Sequence, residues 1–332
     1  MKILISSHAF APSIGGIETV SALLADEFVR LGHEVTVVTQ TPAGDEMPSP
    51  YRVLRAPSLG QLQNVLRGTD IFWQNNLSVR TLWPAVIQRT PFVITHQGSY
   101  CQRPSGLDLA LRLKHAIVER TTSVAISPAV AASFAVPSEI IPNPFDARLF
   151  AEGPPIATRP DDLVFLGRLV TEKGVDLLFE ALANTSARLT IVGDGPERAN
   201  LEELARQLGL AERITFVGPK RGPELVALLQ QHKILVVPSR YHEPFGVVAL
   251  EGIASGCVVV ASSGGGLPEA VGPCGMTFPN GDVAALANLL ERLLASPNEC
   301  AELRAHAPAH LAQFHPTTIA ERYLELFRRK LR

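Results

Sequence analysis

Little in this chain marks it for a membrane, for nucleic acid or for a disulfide framework. Its 332 residues include only four cysteines, three methionines and two tryptophans. Cys101, Cys257, Cys274 and Cys300 lack metal-ligand spacing, so reduced thiols are the default reading. Neither sign of charge is in excess: 30 basic and 32 acidic side chains give a formal net charge of −2. Residues 1–150 hold 12 basic and 11 acidic side chains and the remainder 18 and 21. Neither half therefore shows the basic stripe of a nucleic-acid binder. No uninterrupted apolar run approaches the roughly 20 residues of a membrane span. The opening Met1-Lys2-Ile3-Leu4-Ile5 turns polar too soon for a signal peptide. Internal repeats of fixed short period and low-complexity tracts are missing too. What remains is a globular composition, 46% hydrophobic and 19% charged, expected to be cytoplasmic or peripheral. At this length two domains are expected rather than one.

What is present is an alternation of strand and helix patterns. Lys2–Ser6 reads as a short buried strand, followed by a loop with Pro12 and the pair Gly15-Gly16, a helix from Ile17 to about Leu31, and a strand over Glu34–Thr39. Strand, glycine-rich turn, helix, strand is the βαβ unit of a doubly wound sheet. Ligands of such sheets bind beyond the carboxyl ends of the strands, which singles out Gly15 and Gly16. The dinucleotide fingerprint Gly-x-Gly-x-x-Gly is absent there, which disfavours a nicotinamide dehydrogenase; a tight turn needing small residues is the alternative reading. Further strands are expected at Tyr51–Leu54, Asp70–Trp73, Phe92–Thr95, Thr122–Ile126 and Glu139–Ile141. Phe92–Thr95 runs into His96-Gln97-Gly98, placing a histidine where a parallel sheet presents a catalytic group. Residues 151–160, with three prolines and a glycine, read as a linker. A second βα series then runs from Val164 to Ala261, and Pro316–Arg332 carries apolar residues at helical spacing. The expected architecture is α/β: residues 1–150 and 151–315 as two Rossmann-like doubly wound parallel-sheet domains facing across a cleft, with 316–332 as a terminal helix.

The second half is organised around His242-Glu243-Pro244-Phe245-Gly246-Val247-Val248-Ala249-Leu250-Glu251. Two carboxylates stand eight residues apart in a mostly apolar stretch. A helix over about Phe245–Ser255 would be buried nearly all round. An ionised carboxylate inside such a helix is costly without a partner, so Glu251 is expected to face a polar cleft or a ligand. Glu243 falls in the loop before the helix, which Pro244 stiffens. The free N–H groups of Phe245, Gly246 and Val247 would then point out of a positive helix end, a ready anion site. Phosphate at the helix tip with carboxylates for hydroxyls on either side describes a sugar nucleotide; a buried helix whose glutamates cap or pair is the alternative. Two cations, Arg168 and Lys173, follow the first strand of this half. Arg168 can grip two phosphate oxygens at once and Lys173 serves as a point charge. Gly193-Asp194-Gly195-Pro196 and Gly218-Pro219-Lys220 close the next two strands.

These residues together resemble a family. Gly16-x-Glu18, Leu31-Gly32-His33-Glu34-Val35, Gly167-Arg168-Leu169 with Glu172-Lys173-Gly174, Val192-Gly193-Asp194-Gly195-Pro196, Pro238-Ser239 and Glu243-x7-Glu251 are similar, in order and over almost the entire chain, to the retaining GT-B glycosyltransferases of family GT4. The resemblance implies a hexosyltransferase using a UDP- or GDP-sugar and a hydroxyl acceptor such as a saccharide, a lipid-linked sugar or a small metabolite. It implies that Arg168 and Lys173 neutralise the diphosphate and that the amides of Phe245, Gly246 and Val247 bind its distal phosphate. Glu251 would hold the ribose, Glu243 the hexose, and Gly218 to Lys220 the base. Gly193 belongs to the same donor-binding set. His96 takes the place of the family's active-site histidine, and Gly15 and Gly16 approach the donor from the first domain. The implied mechanism is same-face attack, with the leaving phosphate helping to deprotonate the acceptor. No Asp-x-Asp occurs, in keeping with metal-independent GT-B enzymes, so neither metal nor cofactor is expected.

Where the family commonly has Asn-Gly, this chain has Asn143-Pro144. Proline fixes φ and removes a donor, so that loop's backbone must differ. Arg103, Arg112, Lys114, His115 and Arg120 lie around an expected helix, Gly106–Arg120; a solvated helix face and weak contact with anionic lipid at the inner membrane face are the two readings of it. A sugar-nucleotide epimerase and a non-catalytic sugar-nucleotide-binding protein are the alternatives to a transferase.

Overall fold

In the computed structural model the described residues are 1–13, 15–44, 48–98, 121–134, 137–183 and 185–332. The basic residues of 103–120 and Cys101, singled out above, lie outside them. The chain forms two units, residues 1–144 with 314–332, and residues 145–313.

Unit 1 contains β1 (Lys2–Ser7), α1 (Gly16–Arg30), β2 (Glu34–Thr39), β3 (Arg52–Arg55), α2 (Leu59–Arg67), β4 (Ile71–Asn75), α3 (Val79–Gln88), β5 (Phe92–His96), β6 (Ser123–Ala125), α4 (Pro128–Ala131) and β7 (Glu139–Ile140). Its strands make one all-parallel sheet in the order β3-β2-β1-β4-β5-β6-β7. Period-two alternation sends Ile3 and Ile5 of β1 to one face and Leu4 to the other. The first face takes α1 through Leu24 and Phe28; the second takes α2 and α3 through Leu62, Leu66, Leu82 and Ala85. Helices on both faces are what a fully parallel sheet requires.

Unit 2 runs β8 (Asp161–Leu166), α5 (Val175–Leu182), β9 (Leu189–Val192), α6 (Arg198–Gln207), β10 (Ile214–Gly218), α7 (Gly222–Leu229), β11 (His232–Val237), α8 (Val247–Ala254), β12 (Val258–Ser262), α9 (Leu267–Val271), β13 (Gly275–Phe278), α10 (Val283–Ala295), α11 (Pro297–Ala305) and α12 (Ala307–Ala312). Its parallel sheet has the order β10-β9-β8-β11-β12-β13. Strand β13 is not expected from the sequence; it is four residues long and follows the 3-10 turn Gly272–Cys274.

Two details differ from the sequence expectation. The unit boundary falls at Pro144–Phe145, and residues 151–160 are not a free linker. They are fastened to unit 2: Gln230 Nε2 donates to the Ala151 carbonyl at 2.9 Å, and buried Arg159 donates to the carbonyls of His232 at 2.7 Å and Ser255 at 2.9 Å. A guanidinium taken out of water needs such acceptors, and these hold the segment down. The helix of the second half also begins later, at Val247 rather than Phe245, because Gly246 adopts φ +110, a left-handed value that α-helix excludes.

The terminal helix α13 (Pro316–Leu331) packs within unit 1. Ile319, Tyr323 and Phe327 are buried in the core of α1 and β1. The Tyr323 hydroxyl lies 2.9 Å from Thr95 Oγ1, which also accepts from Trp73 Nε1 at 2.9 Å. Trp73 and Tyr323 ring centroids are 4.9 Å apart. Phe327→Ala is expected to destabilise unit 1 by about 3–5 kcal/mol, and Tyr323→Phe by about 1 kcal/mol through one lost hydrogen bond. Urea titration of both variants checks the ranking.

Candidate functional site

Both sheets change direction at one place, where strands that leave on opposite sides lie next to each other. In unit 2 that place is between β8 and β11. Loops leaving adjacent strands in opposite directions open a crevice at their carboxyl ends. The loop after β8 carries Arg168 and, in a 3-10 turn over Thr171–Lys173, Lys173. The loop after β11 carries Ser239, Tyr241 and Glu243.

Glu243 is the centre of this set. Its side chain is buried, and Oε1 accepts from Lys173 Nζ at 2.5 Å and from Ser239 Oγ at 2.6 Å. Oε2 accepts from the Tyr241 hydroxyl at 3.0 Å. Lys173 Nζ also sits 5.4 Å from the Tyr241 ring centroid, within cation–π range. The Tyr241 phenol is pushed above its ordinary pKa, first by partial burial and then by the Glu243 carboxylate, with the Arg168 charge pulling the other way. Arg168 is exposed and close enough to exert that field. Asn280 braces the loop from behind, donating through Nδ2 to the carbonyls of Ser239 at 3.0 Å and Arg240 at 3.3 Å. The cluster holds one buried carboxylate, an ammonium paired with it and, at its edge, the Arg168 guanidinium and the Glu172 carboxylate, both close enough to act on Tyr241; its two cations are the groups suited to an anion.

Behind Glu243 stands the start of α8. The N–H groups of Gly246 and Val247 have no hydrogen-bond partner among the described residues. One turn in, Glu251 is half-buried, and its carboxylate makes no hydrogen bond or ion pair among the described residues. Burial, with the Asp146 carboxylate adding repulsion, pushes its carboxyl up to about 7. No described contact joins Glu251 to the Lys173–Glu243 cluster.

The other expected residues of this unit stand apart from the cluster. Gly193, with φ +141, has its Cα hard against β8: a Cβ there would lie 1.8 Å from the Gly167 carbonyl oxygen. Strand-end packing alone therefore accounts for its glycine. Lys220 forms an ion pair with Glu224 one turn along, and Gly218 ends β10. Among the described residues, no group of three or more His, Cys, Asp or Glu side chains is arranged to hold a metal ion.

In unit 1 the sheet reverses between β1 and β4. Gly15 caps α1 in extended backbone, and a Cβ on Gly16 would meet nothing within 4 Å, so packing does not explain the second glycine. His96 ends β5, fully buried, its ring centroid 4.2 Å from that of Phe134. Burial lowers its pKa to about 4, which makes it a neutral imidazole at pH 7. The next residue, Gln97, anchors a buried polar chain. Its Nε2 donates to Asn75 Oδ1 at 2.7 Å and Asn143 Oδ1 at 3.0 Å, and its Oε1 accepts from Asn143 Nδ2 at 2.8 Å. Asn75 Nδ2 continues to Ser21 Oγ at 2.7 Å, and Ser21 Oγ to Ser7 Oγ at 2.9 Å. The carboxyl ends of β1, β4 and β5 are thereby tied to α1 and to Asn143-Pro144.

A family described as Glycosyl transferases group 1 matches residues 148–310, which is nearly all of unit 2. A glycogen synthase from Mycobacterium tuberculosis is 30% identical over 371 aligned positions, covering 92% of this chain and 89% of that protein. The chain belongs to the glycosyl transferases group 1 family of enzymes. A D-inositol 3-phosphate glycosyltransferase from Stackebrandtia nassauensis is 36% identical over 199 residues, 53% of this chain but 45% of that relative; the match thus spans less than half of that relative's length. In fold, HepE of Anabaena, solved in complex with UDP-glucose, aligns with a TM-score of 0.80 at 24% identity, covering 99% of this chain and 100% of that one. At that identity the likeness establishes the fold, two parallel-sheet α/β units of the GT-B type.

For a group 1 glycosyltransferase, Tyr241 and Asn280 are the site residues that sequence reading passed over. An extended Tyr241-His242-Glu243 puts alternate residues on one side, a signal available for Tyr241. Asn280 acts on a loop about 40 positions earlier, and no local pattern announces it.

The two shifted groups act on stability in opposite senses. His96, lowered from 6.5 to about 4, favours the folded state fully above its unfolded pKa, and that stabilisation is lost as pH falls from about 6.5 to about 4. The loss is up to about 3 kcal/mol. Glu251, raised from 4.5 to about 7, contributes stability that is present below its unfolded pKa and lost as pH rises through 7. In urea titrations across pH, His96→Phe should reduce the fall in stability as pH drops from about 6.5 to about 4, and Glu251→Gln the fall as pH rises from 4.5 to about 7. Profiles identical to the parent's would contradict both assignments.

Proposed function

We propose that this glycosyltransferase moves a hexose from a UDP- or GDP-sugar to a hydroxyl acceptor with retention of the anomeric configuration. The observation that carries the reading is the Lys173–Glu243 pair at the unit-2 crevice, beside Arg168 and in front of two amides at the start of α8 that have no partner among the described residues. Supporting it, a relative of the same family is named for glycosyl transfer to a phosphorylated inositol, and a structural neighbour carries UDP-glucose.

The chemistry follows from the residues. The donor's diphosphate takes the Arg168 guanidinium, the Lys173 ammonium and the amides of Gly246 and Val247, with the Phe245 amide as the third expected from the sequence. As the bond from the anomeric carbon to the phosphate oxygen breaks, negative charge builds on that oxygen. Fixed cations and helix-end N–H groups favour that charge more than they favour the intact donor. The acceptor oxygen bonds to the anomeric carbon on the same face, and its proton passes to the departing phosphate. Glu243, freed in part from Lys173 by the diphosphate, is left to accept hydrogen bonds from hexose hydroxyls. Glu251 does the same for the ribose, and Gly218 to Lys220 border the base. Gly193 supports the β9 end of this crevice. In unit 1, Gly15, Gly16 and His96 keep the donor-side roles that the family resemblance implies, His96 as a neutral hydrogen-bonding group. Metal and cofactor are not part of the proposed reaction.

Nucleotide release from UDP-glucose, GDP-mannose and related donors, measured with and without a mixture of hydroxyl acceptors, tests the reading. Acceptor-dependent release is expected. Donor consumption that is independent of acceptor and yields an isomeric sugar nucleotide would indicate epimerisation instead. Lys173→Ala should weaken nucleoside diphosphate binding by one to two orders of magnitude, the scale of a lost charge-assisted contact of about 1.5–3 kcal/mol. Unchanged affinity would remove Lys173 from the site. His96→Ala should keep donor affinity and lose turnover.

A further inference from the structure

Large apolar side chains that stay exposed are informative when they gather, and in unit 1 they do. Helix α3 buries Leu82 and Ala85 against the sheet, yet Trp83, Val86 and Ile87 are 41%, 52% and 67% exposed. Their i, i+3, i+4 spacing puts them on one face. On the neighbouring α2, Leu59 is 47% exposed. Leu59, Trp83 and Arg80 line one shallow cleft of about 160 Å³. Charge in this region is one-sided. Residues 48–98 contain Arg52, Arg55, Arg67, Arg80 and Arg89 against a single acid, Asp70. Asp70 itself accepts the Lys2 backbone N–H at 2.7 Å. Arg80 and Arg89 flank the apolar face, are exposed, and form no ion pair among the described residues.

An indole with aliphatic neighbours, bordered by unpaired arginines, matches the boundary between lipid headgroups and acyl chains. The charge matches anionic headgroups. A second copy of the chain fits less well, since self-docking would set the arginines of the two copies against one another. An acidic protein needs an interface of about 800 Å² per partner, more than three apolar side chains on a ten-residue helix and a cleft this small present. We propose that the α3 face of unit 1 docks on an anionic bilayer, with Trp83, Val86 and Ile87 at headgroup level and Arg80 and Arg89 on lipid phosphates. The proposal uses none of the residues of 103–120 and does not depend on the identity of donor or acceptor.

The chain's two tryptophans make the test direct, because Trp73 is fully buried and Trp83 is not. The 332-residue chain is mixed with phosphatidylcholine vesicles, either pure or with about 30 mol% phosphatidylglycerol, and both sedimentation and tryptophan emission are followed. Expected are a blue shift with the anionic vesicles, absent in Trp83→Phe, and binding about tenfold or more stronger than to pure phosphatidylcholine. Ile87→Asp and the pair Arg80→Glu with Arg89→Glu should each lower binding about tenfold at unchanged Tm. Failure to sediment with anionic vesicles overturns the proposal and leaves a protein partner as the occupant of this face. Sedimentation with unchanged emission, or with Ile87→Asp equal to the parent, also overturns it and moves the lipid contact to another surface.

Discussion

One ion pair across a sheet reversal joins the two loops at the unit 2 crevice. Lys173 and Glu243 are 70 residues apart in sequence and 2.5 Å apart in space, joined because β8 and β11 are neighbours whose following loops diverge. Burying a carboxylate this far is unfavourable unless every lone pair finds a donor. Lys173, Ser239 and Tyr241 supply those donors, and Asn280 holds the loop that brings two of them. The pair is also what a diphosphate would disturb. In the proposed reaction the anion would compete with Glu243 for the ammonium and leave its carboxylate available to hydroxyl groups.

Unit 1 meets a different constraint in a comparable place. The carboxyl ends of β1, β4 and β5 expose backbone and polar side chains away from water, and the Ser7–Ser21–Asn75–Gln97–Asn143 chain satisfies them in one connected run. A fully satisfied buried network of this kind fixes side-chain orientation as well as stability. Its last member stands beside Pro144, where the family more often has glycine. Proline offers no N–H there, and the Asn143 side chain, clasped by Gln97 at both amide atoms, holds the chain instead. The neutral His96 imidazole, immediately before Gln97, packs on the Phe134 ring instead.

Much of this was legible in the sequence, for physical reasons that also mark where reading stops. Alternating strand and helix periods, with glycine turns between, carried the two parallel-sheet units and the family likeness. Glu243 and Glu251 stand out because charge in or beside an apolar run needs a partner, and Lys173 because a cation in the loop after a strand end suits a diphosphate. The partners themselves were not legible: Gln97 and Asn143 lie 46 residues apart, and Tyr241 gains its role only from where β11 ends. The start of α8 was read two residues early because Pro244 is a good first helical residue, while the left-handed backbone at Gly246 postpones the helix. Gly193 was read as a donor contact, and its backbone approach to Gly167 supplies a structural reason for the same residue.

The most direct test of the central claim is a crystal structure of the chain with UDP-glucose bound. The account predicts the diphosphate against Lys173 Nζ, the Arg168 guanidinium and the amides of Gly246 and Val247, with Glu243 turned toward the sugar. A diphosphate bound elsewhere, with Lys173 and Glu243 still paired as in the unliganded chain, would contradict it.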